Sequence, residues 1–281
     1  MQDRYVADVG DFGKYGLLRR LAGMTGGNGE TRMKLGVIWY LTPSCLGNPN
    51  DGKHLYYLDN QTKFKDCDEP LFCQLKKLRE KITTQEDGCR VRLPEFMRTE
   101  ENPNIQEAAL KHIQKPEILG EAIFFDELLR ADTNRADWWE RARKKLKGEC
   151  HLLFLDPDNG LRVQYGNEAA TLLGRDESGQ KHISKEEISE VLKWGASAVV
   201  IYHHLGRHGG DHDKQINLIA GALKKVAPKS TTIRAFRYHR GSSRAFFVLI
   251  RKQHKIIESR IDSFKCSSWV EKEHFQIVHL A

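Results

Sequence analysis

Asp156-Pro157-Asp158-Asn159-Gly160 follows directly on the apolar run Leu152-Leu153-Phe154-Leu155, so carboxylates are delivered where a buried segment ends. A run without alternation is expected of a parallel strand covered on both faces. In open α/β sheets, ligands gather outside the carboxyl ends of such strands. Pro157 offers no backbone N–H and Gly160 tolerates positive φ, so the chain leaves the ladder here. The same residues are ordinary turn formers, so the chemical reading depends on what else reaches this edge.

A second group does. Ala198-Val199-Val200-Ile201-Tyr202 reads as another buried strand, and it runs into His203, His204, Arg207, His208, Asp211, His212 and Asp213. In one chemistry, Asp156 and Asp158 hold Mg2+ or Mn2+, a histidine is the general base and Arg207 binds phosphate. That describes a metal-dependent nuclease or phosphodiesterase. The histidines follow no regular metal spacing, and they equally suit a solvated loop before a helix at His212 to Val226. Arg237, Tyr238, His239, Arg240 and Arg244 form a third group, mixing guanidinium and aromatic side chains. Such a mixture suits backbone phosphates and stacked bases, or an exposed turn kept soluble by charge.

The elements that would position these groups alternate between strand and helix. Lys34 to Leu41 reads as the first central strand, stopped by Thr42-Pro43. Before it, Gly10-Asp11-Phe12-Gly13-Lys14-Tyr15-Gly16 reads as a glycine-rich loop entering a helix. Asp11 is its expected N-cap, and Leu17, Leu18 and Leu21 form its apolar face. Glu69 to Ile82 and Asn104 to Ile113 have helical periodicity, predicting a helical insertion at about 60–118. Ile123 to Phe125 is a short strand and Arg135 to Leu146 a helix. Residues 164–182 read as a long loop, and Ser184 opens a helix with a capping box. Thr231 to Tyr238 and Arg244 to Ile250 form an antiparallel hairpin expected at or near the sheet edge. The sum is one α/β domain over residues 1–281, with a mostly parallel sheet and helices on both faces.

The chain of 281 residues carries a net charge of +7, which is compatible with a nucleic-acid partner. No apolar run approaches a membrane span, and Met1-Gln2-Asp3-Arg4-Tyr5 lacks the order of a signal peptide, so a cytoplasmic location without a membrane partner is expected. The six cysteines show no C-x-x-C pair and are expected to be reduced thiols. Oligomeric state is not encoded in any of these features.

This order of elements resembles the class I S-adenosylmethionine-dependent methyltransferase fold. Within it the chain is most similar to nucleic-acid amino-methyltransferases, notably the family methylating an adenine of large-subunit ribosomal RNA. Three places carry the resemblance: Gly10-Asp11-Phe12-Gly13-Lys14 before the first strand, Asp156-Pro157-Asp158-Asn159 at a strand end, and the layout from Ala198 to Ile250. The chain also resembles bacterial proteins of unassigned activity that combine a glycine-rich start with D-P-D-N-G and Y-H-H.

The resemblance implies a Rossmann-like sheet and S-adenosylmethionine as cofactor, contacted by Asp11, Lys14, Tyr40 and Thr42. It implies that Asp156 and Pro157 accept hydrogen bonds from an exocyclic amino group of a flipped base, with Tyr165 or Tyr202 stacking on it. Asp158, Asn159, His203 and His204 complete the expected catalytic group, and Arg207, Arg237, Tyr238, Arg240 and Arg244 the nucleic-acid surface. Two departures stand out. Trp39-Tyr40-Leu41-Thr42-Pro43 replaces the family's glycine-rich loop, and Asp158-Asn159 replaces the second proline and aromatic of its catalytic motif. A nucleic-acid-binding protein without catalysis is the third reading. Each enzymatic reading requires the strand ends at Leu41, Leu155 and Tyr202 to share one side of the sheet.

Overall fold

The computed structural model describes residues 1–25, 31–44, 52, 54–86, 89–175, 180–206, 211–252 and 254–280. Helix α1 spans Val9–Leu21 and strand β1 spans Leu35–Ile38. The following segment carries α2 (Gln61–Phe64), α3 (Glu69–Ile82), β2 (Thr83–Glu86), β3 (Cys89–Arg92), α4 (Ala109–Ile113) and α5 (Pro116–Leu119). Next come β4 (Ile123–Phe125), α6 (Arg135–Leu146) and β5 (Leu152–Leu155). Short strands β6 (Gly160–Leu161), β7 (Val163–Tyr165), β8 (Ala170–Leu172) and β9 (His182–Ile183) precede α7 (Lys185–Val191). The remaining elements are β10 (Ala198–His204), α8 (His212–Val226), β11 (Thr231–Tyr238), β12 (Arg244–Arg251), α9 (Lys255–Lys265), α10 (Ser268–Glu271) and β13 (Phe275–Val278).

A seven-stranded sheet in the order β13-β11-β12-β10-β5-β1-β4 forms the centre. β4, β1, β5 and β10 are mutually parallel, and β12 runs against β10. β11 opposes β12 and therefore points with the parallel set, so the sheet is mostly parallel in strand direction. Along the parallel strands successive residues enter different cores. Leu152 and Phe154 pack with α1, α3 and α9, whereas Leu153 and Leu155 pack with α6, α7 and α8. Covering both faces is why these strands read as unbroken apolar runs. Each fully buried leucine or phenylalanine contributes about 1.5–3 kcal/mol.

The glycines near the start do not form a loop. Gly10, Gly13 and Gly16 lie inside α1, whose N-cap is Asp8, accepting from the Asp11 N–H at 2.9 Å. Their spacing of three puts them on one helix face, pressed against Arg244, Tyr238 and Trp269 so closely that a Cβ would collide with each. Close approach, rather than positive φ, explains these glycines. The β11-β12 hairpin lies near the sheet edge as expected, with β12 between β10 and β11, while an unanticipated β13 pairs with β11 as the edge itself. Two further differences concern strands. Polar β2 and β3 pair antiparallel beside the expected helices, and residues 163–172 form a β7-β8 hairpin in the expected loop. The capping box of α7 is formed, with Ser184 Oγ accepting from Glu187 N–H and Glu187 Oε2 from Ser184 N–H. Among the described residues, no helix is long and apolar enough to cross a membrane.

Candidate functional site

The carboxyl ends of β5 and β10 open onto a cleft of about 520 Å³. Because β5 and β10 are parallel neighbours with Leu155 opposite Ile201, Asp156 and Tyr202 emerge together. Alternation along β5 turns Asp156 toward the face occupied by α1. There Lys14 Nζ donates to Asp156 Oδ2 at 2.8 Å and to Asp11 Oδ1 at 3.0 Å. All three side chains are buried, and the ammonium also lies 5.5 Å from the centre of the Tyr202 ring, a cation–π distance.

Burial opposes the charged form of Lys14, but Asp11 and Asp156 outweigh it and hold the ammonium pKa above its ordinary value. Burial raises the Asp11 carboxyl to about 6; Lys14 pulls the other way, while Asp8 and Asp156 add to the rise. Pro157, Asp158 and Asn159 also line the cleft. Asp158 Oδ2 accepts from Gln2 at 2.9 Å and lies 3.6 Å from Lys181. Burial pushes its pKa up, but the amino terminus, Gln2 and Lys181 bring it below the ordinary carboxylate range. Asn159 is exposed, and its N–H donates to the Lys181 carbonyl at 2.9 Å.

The two expected histidines part company. His204 lines the cleft, with its pKa lowered by burial and Arg244 against an opposing pull from Asp158. His203 points to the other sheet face. Its Nδ1 accepts from Leu161 N–H at 3.0 Å, and its Nε2 lies 3.3 Å from the Tyr165 hydroxyl. Burial, reinforced by His204 and His182, drives its pKa down to about 3, so the ring is neutral and tied to its neighbours. Gly160, at φ 95°, lies against this imidazole where a Cβ would not fit. His203 therefore fastens β6 to β10 rather than serving the cleft, and Tyr165 goes with it. Of the two tyrosines expected to stack on a base, Tyr202 reaches the cleft.

Asp11 and Lys14 reach the cleft, whereas Tyr40 and Thr42 do not line it. Tyr40 is buried on the opposite face, with the Arg135 guanidinium 4.7 Å from its ring centre and Glu187 Oε2 3.4 Å from its hydroxyl. Thr42 is buried, and its N–H donates to the Met1 carbonyl at 2.9 Å, so the first residues lie over the end of β1. The end of β1 is on the same side as those of β5 and β10 but is covered.

Of the basic and aromatic hairpin group, Arg244 alone lines the cleft. Arg237 is paired with Asp213 at 3.1 Å and His212 at 2.8 Å. Tyr238 is fully buried and donates to the Val9 carbonyl at 2.8 Å, so it stacks on no base. Arg240 donates to His274 Nδ1 at 2.9 Å and to the Lys272 carbonyl at 2.8 Å. Arg207 lies outside the described residues. Arg4, Tyr5, Asp8, His54 and Lys181 line the cleft without having been anticipated. They come from three segments with no shared motif, Arg4, Tyr5 and Asp8 from the N-terminal one; only the N-cap character of Asp8 is a local signal.

Among the described residues, no group of three or more His, Cys, Asp or Glu side chains is arranged to hold a metal ion. Asp156 and Asp158 do not fit that role: Lys14 occupies Asp156 Oδ2, and Gln2 and Lys181 approach Asp158. A divalent cation bridging them would lie against an ammonium. Asp8 and Asp11 share the cleft with Arg4 and Arg244, a mixture of charges suited to a zwitterionic group. Comparison with protein-family models, curated proteins and solved structures finds no match.

Proposed function

We propose that the chain is a Rossmann-like, S-adenosylmethionine-dependent methyltransferase acting on a base amino group of nucleic acid, with the base held at Asp156 and Pro157. The observation that carries this reading is the 2.8 Å contact between Lys14 and Asp156, 142 residues apart. It brings together two of the segments that resemble the methyltransferase family. The strand order supports the same reading. Counted along the chain, β4, β1, β5 and β10 stand in the order second, first, third, fourth, and the reversal between β1 and β5 adjoins Asp156.

The chain's own residues have defined parts. Lys14 fixes Asp156 through Oδ2, leaving Oδ1 to accept a hydrogen bond from the amino group. The Pro157 carbonyl accepts the second, and together they aim the nitrogen lone pair. The Tyr202 ring supplies an aromatic wall, and Lys181, His204 and Arg244 receive phosphate at the cleft. S-adenosylmethionine, when bound, supplies a methyl group already activated by positive charge, and Asp8 and Arg4 would hold its amino-acid tail. Asp156 and Asp158 are not used as metal ligands.

The test combines S-adenosylmethionine bearing a labelled methyl group with pools of DNA and RNA. Label should enter base amino groups with the wild type and fall by about 100-fold or more with Asp156→Ala of unchanged circular dichroism. Absence of both label transfer and calorimetric binding of S-adenosylmethionine at millimolar concentration overturns the proposal.

A further inference from the structure

Methyl transfer to an amine creates a proton problem. The nitrogen lone pair forms the N–C bond, the leaving group keeps the electron pair of the bond that breaks, and the nitrogen is left positively charged with one proton too many. Asp156, Lys14 and Asp11 lead inward from the position given to that nitrogen, through contacts of 2.8 Å and 3.0 Å. Exposures of 2%, 5% and 1% separate the three from bulk water.

We propose that the proton passes along this row and rests on Asp11, making Asp11 a positioning and proton-holding residue that acts through Lys14. This rests on the methyltransferase reading above. The substrate N–H bond breaks as Asp156 takes the proton; Lys14 hands one of its own protons to Asp11 and takes the proton from Asp156. Asp156 and Lys14 return to their starting forms, and the net change is an O–H bond on Asp11.

Charge counting gives the direction. One ammonium faces two carboxylates, so the buried row starts with one negative charge in excess. Uncompensated charge away from water is costly, and a proton arriving from the substrate removes it. The surroundings of Asp11 agree. Asp8 faces it from the N-cap of α1, Lys14 and Tyr15 from α1 itself, Asp156 from the end of β5, Tyr57 from the segment after β1, and Arg92 from β3. Its Oδ2 accepts from Ala7 N–H at 3.1 Å, fixing the carboxylate. Burial and the neighbouring carboxylates place its proton affinity at about 6, so it is ready to accept at neutral pH and can release through the cleft it lines.

The experiment is the pH dependence of kcat for methyl transfer. The wild type should rise through pH about 6 and level off above it, because Asp11 must be ionised to accept. Asp11→Asn should lower kcat by about 100-fold and abolish that rise, with KM for the methyl donor little changed. A merely structural Asp11 would shift thermal stability or KM and leave the rise in place. Should Asp11→Asn fail to fold, carboxyl 13C NMR of the wild type decides: the Asp11 resonance should titrate near 6. A retained rise with kcat within about twofold, or an Asp11 resonance titrating at ordinary carboxylate values, overturns this role alone. A wild type that methylates no nucleic acid overturns the role and the function together.

Discussion

Lys14 Nζ spans two carboxylates from separate elements, 2.8 Å from Asp156 Oδ2 and 3.0 Å from Asp11 Oδ1. The row ties α1 to the end of β5 and thereby fixes the position of the strand-end motif in the cleft. Its worth lies less in the attraction itself than in what its loss would leave behind.

Lys14→Met should therefore destabilise the protein by about 3–5 kcal/mol, since it strands buried carboxylates without their cation. Urea unfolding at pH 8 measures the loss. Lys14 lowers the proton affinity of Asp11 against the pull of burial, so without the ammonium Asp11 binds its proton more tightly and the gap from wild type should narrow as pH falls toward 5. A gap independent of pH would mean that packing, not charge, is what Lys14 provides.

His203 predicts the opposite face of the same chemistry. Its pKa of about 3 lies below that of an unfolded histidine, near 6.5, so the unfolded chain binds the proton first as pH falls. The stability it contributes is complete above about 6.5 and is lost progressively as pH drops toward 3. His203→Gln keeps an acceptor for Leu161 N–H and removes the titration. It should flatten the fall of unfolding free energy between pH 6.5 and 4 while leaving methyl transfer within about twofold of wild type. A large loss of activity with a native fold would return His203 to the site.

Glycines in two helices should respond in opposite senses. Gly221 in α8 has nothing within 4 Å of an added Cβ, so Gly221→Ala should stabilise by about 0.5–1 kcal/mol through helix propensity. Gly13→Ala meets the Tyr238 ring, itself fixed by its bond to the Val9 carbonyl. Overpacking of this kind costs about 1–3 kcal/mol and should outweigh the propensity gain. Thermal unfolding of the two variants side by side checks the contrast; stabilisation by Gly13→Ala would show that the helix can move off β11.

These contrasts show which parts of the molecule were legible in the sequence. Leu152 to Leu155 and Ala198 to Tyr202 are strands because both faces are covered, and that condition leaves a local mark: apolar residues without alternation. Asp156 at the strand end follows from the same mark. Gly10, Gly13 and Gly16 carry an ambiguous one, since glycine serves both a loop and a helix face under pressure, and the pressing residues lie more than 200 positions away. Arg237, Tyr238 and Arg240 looked like a nucleic-acid surface because their partners Asp213, Val9 and His274 are made neighbours only by the fold. His203 and His204 are adjacent in sequence, yet strand alternation sends them to different faces; the pleat predicts that separation once the strand is extended through His204. The contribution of Arg4, Tyr5, Asp8, His54 and Lys181 is tertiary, and the spacing between their segments encodes nothing about it.

Under the proposed function, the positions of the basic groups decide where nucleic acid should make contact. Lys181 lines the cleft with its side chain 51% exposed, so its charge can meet a phosphate while its 3.6 Å approach to Asp158 gives way. Arg237 is held by Asp213 and His212 at the far side of the hairpin strand and does not line the cleft. Binding of labelled single strands, followed by fluorescence anisotropy across a salt series, separates the two. Lys181→Ala should weaken binding several-fold, roughly 1 kcal/mol, and reduce the slope of log K against log salt by about 0.7, the release expected for one phosphate contact on a single strand. Arg237→Ala should leave both affinity and slope near wild type. The reverse pattern would place the nucleic acid on the hairpin surface, away from Asp156, and the cleft would then need a different ligand.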